Sequence, residues 1–296
     1  MSLATLARCG AYAKSMQLIL HSYTFRDHPF EECVRCAREF GWNGIELHGV
    51  HCAWDALKPG LRRCRMIAED AGVPVLCVDF SADLLNTDKD TAQASADLLG
   101  RSIEICAKQG IRLMNGFTGF LTGDDPMDFP HNGSALATGS DYERVVEFLQ
   151  EPVRIAENCG VTLTLEIHMN TIHDTIASTK RLLDLVDSPH VLANPDPGNL
   201  FATYPPDAQP SALDAIGDRI GYFHLKNGVQ KNHEIDFSVS LKNGEIDIRG
   251  HLQKLDDLGY TGSVCVEYCG EGDPVPVVKR DAEYVKQCLS EITSQR

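Results

Sequence analysis

The chain has no run of the roughly 18 consecutive apolar residues that a membrane-crossing helix needs. Residues 1–15 carry Arg8 and Lys14 but lack the apolar centre of a secretory signal. No membrane partner is expected, and 1–15 reads as an N-terminal extension ahead of one domain at 16–296. No cluster of Lys or Arg offsets the formal net charge of −15. A long polyanion would be repelled by such a surface, so no nucleic-acid partner is expected. The glycine fingerprints that cradle phosphates, GxGxxG and GxxxxGK[ST], follow none of the apolar runs, which removes the main support for a nucleotide-binding open sheet. Aromatic residues make up only 7% of the chain.

Cysteine is not scarce, but its eleven copies are odd in number and scattered with no signal segment ahead of them. They do not form the framework of a secreted disulfide protein, and a reducing cytoplasm is the expected location. Cys33 and Cys36 form a CxxC without a matching second pair, inside an amphipathic stretch, and read as core. Cys77 and Cys265 read as small apolar strand residues.

With 43% hydrophobic and 23% charged residues the composition is that of an ordered globular protein. Apolar runs alternate with amphipathic stretches eight times. Strands are expected near Met16–Tyr23, Gly44–His48, Val73–Asp79, Ile111–Asn115, Val161–Glu166, His190–Asn194, Ile220–Leu225 and Gly262–Glu267. Helices are expected over Pro29–Phe40, Trp54–Ala71, Thr91–Lys108, Tyr142–Cys159, Thr175–Val186, weakly over Pro210–Ile216, then over Ile248–Leu258 and Val277–Glu291. Pro29 stands where a helix start tolerates proline, and Gly41, Gly72 and Gly160 stand where helix ends prefer glycine. Eight such units predict an α/β fold of one domain, the closed (β/α)8 or TIM barrel. Two long connections, Phe117–Ser140 and Gly228–Arg249, follow strand ends and would lie on the barrel's active face as lids or disordered segments.

Four residues of metal-ligand type close the last four strands: Glu166 in TLEIH, Asp196 in NPDPGN, His224 in FHLKN and Glu267 in VCVEY. Taken singly, each has an ordinary alternative as a half-exposed strand end or a partner in a loop salt bridge. In a barrel, however, the four ends converge on one face. Three carboxylates and an imidazole are a hard donor set that suits Mn2+ first, with Mg2+, Co2+ or Zn2+ as alternatives. An ion held there polarises a carbonyl and eases proton loss from the neighbouring carbon. Glu166 and Glu267, on opposite sides of the ring, are the candidate catalytic base and acid.

The remaining polar residues near strand ends carry weaker signals. His168 and His173 lie just past strand five, and His168 is the better substrate contact. Lys226 points the same way as His224, two residues earlier, and either holds a substrate oxygen or pairs with a ligand carboxylate. Glu46 and His48 alternate on strand two and are candidate substrate contacts, with buried support as the alternative for Glu46. His51, in the loop beyond, Asp79 and Asn115 carry the same two readings. Asp247 and Arg249 read as cap and surface charge.

The chain resembles the xylose-isomerase-like superfamily of barrels, which includes sugar epimerases, inosose and dehydroshikimate dehydratases, and abasic-site endonucleases. The resemblance runs through GWNGIEL (Gly41–Leu47), LEIH, NPDPGNL, FHLKN and GEIDIRGHLQKLDDLGYTGSVCVE (Gly244–Glu267). It implies that Glu166, Asp196, His224 and Glu267 bind one metal and that the two glutamates exchange a substrate proton. Epimerases of this group often have His where this chain has Asn199, so Asn199 is expected as a substrate contact and a poorer proton shuttle. The implied activity is a sugar isomerase or epimerase acting next to a carbonyl, with a dehydratase or lyase as the alternative at the same site. The endonuclease branch needs more histidines, at places where this chain has Asp79, Asn115 and Asp236–Ser238. A small carbohydrate is the expected partner, and homo-oligomerisation is compatible with the sequence.

Overall fold

A computed structural model describes residues 16–232 and 234–295, so the extension expected at 1–15 lies outside the described residues. The strands are β1 (Gln17–His21), β2 (Gly44–Leu47), β3 (Val75–Ser81), β4 (Leu113–Phe117), β5 (Thr162–Glu166), β6 (Val191–Asn194), β7 (Phe223–Leu225), a hairpin β8 (Val229–Lys231) and β9 (Glu234–Asp236), and β10 (Ser263–Val266). The helices are α1 (Phe30–Glu39), α2 (Leu57–Asp70), α3 (Lys89–Lys108), α4 (Gly139–Cys159), α5 (Ile176–Val186), α6 (Pro197–Thr203), α7 (Ile248–Asp257) and α8 (Val275–Ser294).

Eight parallel strands run in the order β6-β5-β4-β3-β2-β1-β10-β7. The seam between β6 and β7 is short. A parallel bridge joins Ala193 to Ile220, Gly221 N–H donates to the Ala193 carbonyl at 2.9 Å and His224 N–H to the Pro195 carbonyl at 3.1 Å. The sheet is thereby a nearly closed barrel, the expected TIM fold. Side chains alternate along each strand. One set packs outward against the helices, while Ile19, Cys77, Tyr222 and Cys265 form a separate, fully buried cluster. Two residues further along the same chain segments stand His21, Asp79, His224 and Glu267, so polar residues continue that inner layer toward the C-terminal ends of the strands.

Local rules place the helices. Pro29 precedes α1. The hydroxyl of Thr138 and the carboxylate of Asp141 form a capping box at the start of α4, and Gly160 ends α4 in the left-handed region at φ 63°, a conformation glycine adopts without a Cβ clash. Cys33 and Cys36 are buried in α1, as expected of core residues. Among the described residues no helix is long and apolar enough to cross a membrane.

The sixth helix differs from the expectation. Residues 205–208, 210–215 and 217–219 are short 3-10 turns, and the α-helix is the segment Pro197–Thr203 directly after β6. Pro-Gly reads locally as a turn. The Asp196 carboxylate overrides that by accepting from Gly198 N–H at 2.8 Å and Asn199 N–H at 3.2 Å, with proline in the first helical turn. Strands β3 and β4 also run two residues beyond the expected ends, to Ser81 and Phe117.

The long connection after β7 is ordered into the β8–β9 hairpin and then tied to α8 by Leu241 N–H, which donates to Asp281 at 2.9 Å. Asp281 is 2% exposed, and burial raises its pKa to about 7. A carboxyl whose folded pKa lies above its unfolded value favours the folded state most at low pH and loses that contribution as pH climbs toward 7. Asp281→Asn keeps an acceptor oxygen and cannot ionise. Its melting temperature relative to the parent is expected to gain about 5–10 °C between pH 5 and pH 8. Thermal unfolding at the two pH values reads the difference, and a constant offset would refute the assignment.

Candidate active site

Each of the four expected ligands sits where its strand ends. Glu166 is the last residue of β5, His224 lies in β7, and Asp196 and Glu267 follow β6 and β10. One donor atom from each of the four lies within 4.8 Å of all the others. Asp196 and His224 are fully buried, Glu166 is 5% exposed, and the Glu267 side chain is 11% exposed.

The surrounding hydrogen bonds orient these groups. His224 Nε2 lies 2.8 Å from Glu46 Oε2, which also accepts from the Tyr222 hydroxyl at 2.9 Å. Asn115 Nδ2 donates to Glu46 Oε1 and to Glu166 Oε2, both at 3.1 Å. With Nε2 facing Glu46, His224 turns Nδ1 toward Glu166 Oε2, 3.6 Å away and beyond hydrogen-bond length. That buried nitrogen has no hydrogen-bond partner. An orphaned ring nitrogen among carboxylates, with its other nitrogen fixed by a carboxylate, is the arrangement of a metal-ligating histidine. The donor set fits a divalent ion.

The charge balance points the same way. Burial disfavours a charge on Lys226, yet its Nζ lies 2.9 Å from Asp196 Oδ2 and 2.8 Å from Glu267 Oε2, and these carboxylates hold its pKa well above the usual value. Burial opposes ionisation of Glu267 as well, but Lys226 and the nearby histidines His21 and His224 hold it below the usual carboxylate range. Burial raises the Asp196 carboxyl, against the pull of Lys226. Asp196 and Glu267 thus share one ammonium, while Glu166 and Glu46 lie against His224. The excess of buried carboxylates is a site for positive charge.

Above the cluster lies a cavity of about 300 Å3, at the low end of the ~300–1,000 Å3 typical of small-molecule sites. Glu166, Glu267, Lys226, His168 and His48 line it, joined by Asp79. His48 Nε2 is 3.3 Å from Asp79 Oδ2, and burial lowers the His48 pKa to about 4. Asp196 and His224 lie beneath. Glu46 and Asn199, expected against the substrate, are fully buried and do not line the cavity. Asn199 Nδ2 instead donates to Glu166 Oε1 and Asp196 Oδ2, both at 3.1 Å, and to the Ile167 carbonyl at 3.2 Å. It braces two carboxylates. His173 is buried away from the cavity, and His51 meets the His28 carbonyl at 3.1 Å.

Several lining residues carried no signal in the sequence reading: His21, Tyr23, Phe117, Phe120, Met169, Phe237 and Cys269. His21 was findable. It ends β1 as a polar residue, 3.7 Å from Glu46 and 3.9 Å from Glu267, but a strand drawn through to Tyr23 hides that position.

Comparison with known proteins extends the geometry. The family model described as xylose isomerase-like TIM barrel matches residues 34–288. Fructoselysine 3-epimerase of Shigella flexneri is 24% identical over 254 residues, covering 81% of this chain and 85% of the epimerase. Inosose dehydratase of Geobacillus kaustophilus is 28% identical over 152 residues, 46% of this chain and 48% of the dehydratase. The structure of a xylose isomerase-like TIM barrel protein from Mycobacterium smegmatis in complex with magnesium superposes with a TM-score of 0.74 at 22% identity, covering 95% of this chain and 98% of that one.

Proposed function

We propose that this chain, which belongs to the xylose isomerase-like TIM barrel family, is a divalent-metal-dependent isomerase or epimerase of a keto-sugar. The observation that carries this reading is the four-donor cluster within 4.8 Å, open on one side to a cavity reached by both glutamates. Glu166, Asp196, His224 and Glu267 would hold the ion, with Mn2+ first and Mg2+, Co2+ or Zn2+ as alternatives. When bound, the ion supplies a Lewis acid for adjacent carbonyl and hydroxyl oxygens.

The chain's own residues divide the remaining work. Glu166 and Glu267 come from β5 and β10, on different sides of the ring, so they reach a bound carbon from different directions. One takes the proton beside the carbonyl and the other returns a proton to the opposite face. Against the penalty of burial, neighbouring positive charge holds both low, so either can be the carboxylate that accepts, and the partner that returns a proton has first taken one up from solvent at the cavity. Lys226 fixes the Glu267 carboxylate, while Asn115 and Asn199 fix that of Glu166. His168 and His48, on the cavity wall, are placed to meet hydroxyl groups. The similarity to fructoselysine 3-epimerase across most of both chains supports the epimerase reading.

Elimination is the second reading, supported by the similarity to inosose dehydratase. It shares the first step and differs in whether an acid faces a leaving group. The test is incubation of the metal-loaded protein with keto-sugars in D2O. Uptake of deuterium at the carbon next to the carbonyl is expected, lost with a chelator and restored by Mn2+. An enone chromophore would select elimination. Full activity after metal removal would end both readings.

A further inference from the structure

The cavity wall indicates what a substrate carries beyond its reacting carbons. Among the described residues Lys226 is the only Lys or Arg that lines it, and its ammonium is already held between Asp196 and Glu267. Arg26, two residues after the lining residue Tyr23, donates to the carbonyls of Cys269 and Gly270 at 3.1 and 2.8 Å, and its guanidinium stacks over the Tyr23 ring. Among the described residues that line the cavity, no unengaged Lys or Arg is offered to a phosphate. A phosphate ester would find no guanidinium or free ammonium there to replace its water.

Part of the cavity wall is apolar and aromatic. Phe117 at the end of β4 lies 4.7 Å from the His168 ring and 5.5 Å from Phe120 between centroids. Met169 also lines the cavity, and Phe237, from the segment after the hairpin, adds a third ring beside Lys226, 5.4 Å from its ammonium. Phe120 is 49% exposed, so the aromatic wall extends from the reacting end to the outside. In a chain where aromatics are only 7% of residues, three phenylalanines on one small cavity are a concentration.

Resting on the reading of the site as a keto-sugar enzyme, the geometry points to an unphosphorylated substrate that bears an apolar, planar substituent remote from its carbonyl, seated on Phe117 and Phe120. Such a group gains from ring contact and from leaving water. A phosphate at the same position gains neither.

The test uses the metal-loaded protein and three ligands that differ only at the end far from the keto group: D-fructose, 6-O-benzyl-D-fructose and D-fructose 6-phosphate. Affinities are measured by calorimetry, with inorganic phosphate as a control for direct contact with the metal. The benzyl ether is expected to bind at least about tenfold tighter than fructose, and the phosphate at least about tenfold more weakly than the benzyl ether after the control is subtracted. In Phe120→Ala the ratio of benzyl ether to fructose affinity should fall toward one. A phosphate that binds best, a benzyl ether no better than fructose, or no binding by any of the three overturns the inference. Deuterium uptake is scored separately. The expected ranking without any exchange would sink the proposed reaction and leave the inference standing, whereas exchange with the wrong ranking would do the reverse.

Discussion

Glu267→Gln is expected to lower epimerisation by about three orders of magnitude, within the ~10²–10⁴-fold that a positioned acid or base contributes. Glutamine keeps the shape and an oxygen that can accept from Lys226, now 2.8 Å away. It removes the charge and the basicity. Glu166→Gln should do the same, because Asn115 and Asn199 already donate to both of its oxygens, and the amide nitrogen that replaces one of them leaves a donor facing a donor. The two variants should differ in one readout. If the glutamates serve opposite faces, each variant retains deuterium exchange into one epimer of a substrate pair and loses it from the other. Metal content has to be measured alongside, at saturating metal, since each residue is also a proposed ligand. Equal loss of exchange from both epimers with the ion still bound would show that the glutamates do not divide the faces.

Glu46→Gln should weaken the metal by about 10–100-fold, the usual cost of removing a carboxylate that orients a ligating imidazole, although Glu46 is fully buried and outside the cavity. Its Oε2 meets both His224 Nε2 at 2.8 Å and the Tyr222 hydroxyl. That contact keeps the proton on Nε2 and leaves Nδ1 free to ligate. Burial would push the Glu46 carboxyl up, but with no ion bound the charge on His224, with His21 beside it, brings it to about 2, so it stays anionic, and an ion taken up at Nδ1 would displace the second His224 proton. A neutral amide no longer distinguishes the two ring nitrogens, and the orphaned Nδ1 is no longer the enforced ligand. Chelator-competition titration reads the affinity, and thermal unfolding of the metal-free protein reports any loss of fold. High metal concentration should recover turnover. An unchanged affinity would place Glu46 in a purely structural role.

Much of this molecule was legible in the sequence because a barrel puts its polar residues in one kind of place. Glu166, Asp196, His224 and Glu267 each close an apolar run, and charge at such a position needs a partner. The β/α rhythm supplied the rest, since glycine at helix ends marks the units. Depth was not legible. Glu46 and Asn199 point toward the site, but whether a side chain stops beneath the ligands or reaches the cavity depends on barrel tilt and neighbouring side chains. Phe117, Phe120 and Phe237 look like any apolar residue near a loop, and only the fold brings the three onto one cavity. The helix after β6 was hidden for a related reason. Pro197-Gly198 is turn chemistry, and a single side-chain acceptor converts it into a helix start.

That acceptor has a wider consequence. One oxygen of Asp196 is committed to the first amides of α6, and the other faces Lys226 and the cluster. Drift at this codon is therefore constrained twice, by folding and by chemistry. Asparagine is the substitution that separates the two, because it caps a helix as well as aspartate does while bringing no charge to the cluster. A descendant with Asn at 196 would keep its barrel and its helix and lose one carboxylate of the proposed ion site. Such a lineage would have given up the proposed metal chemistry by one base change, with nothing in its outline to betray it.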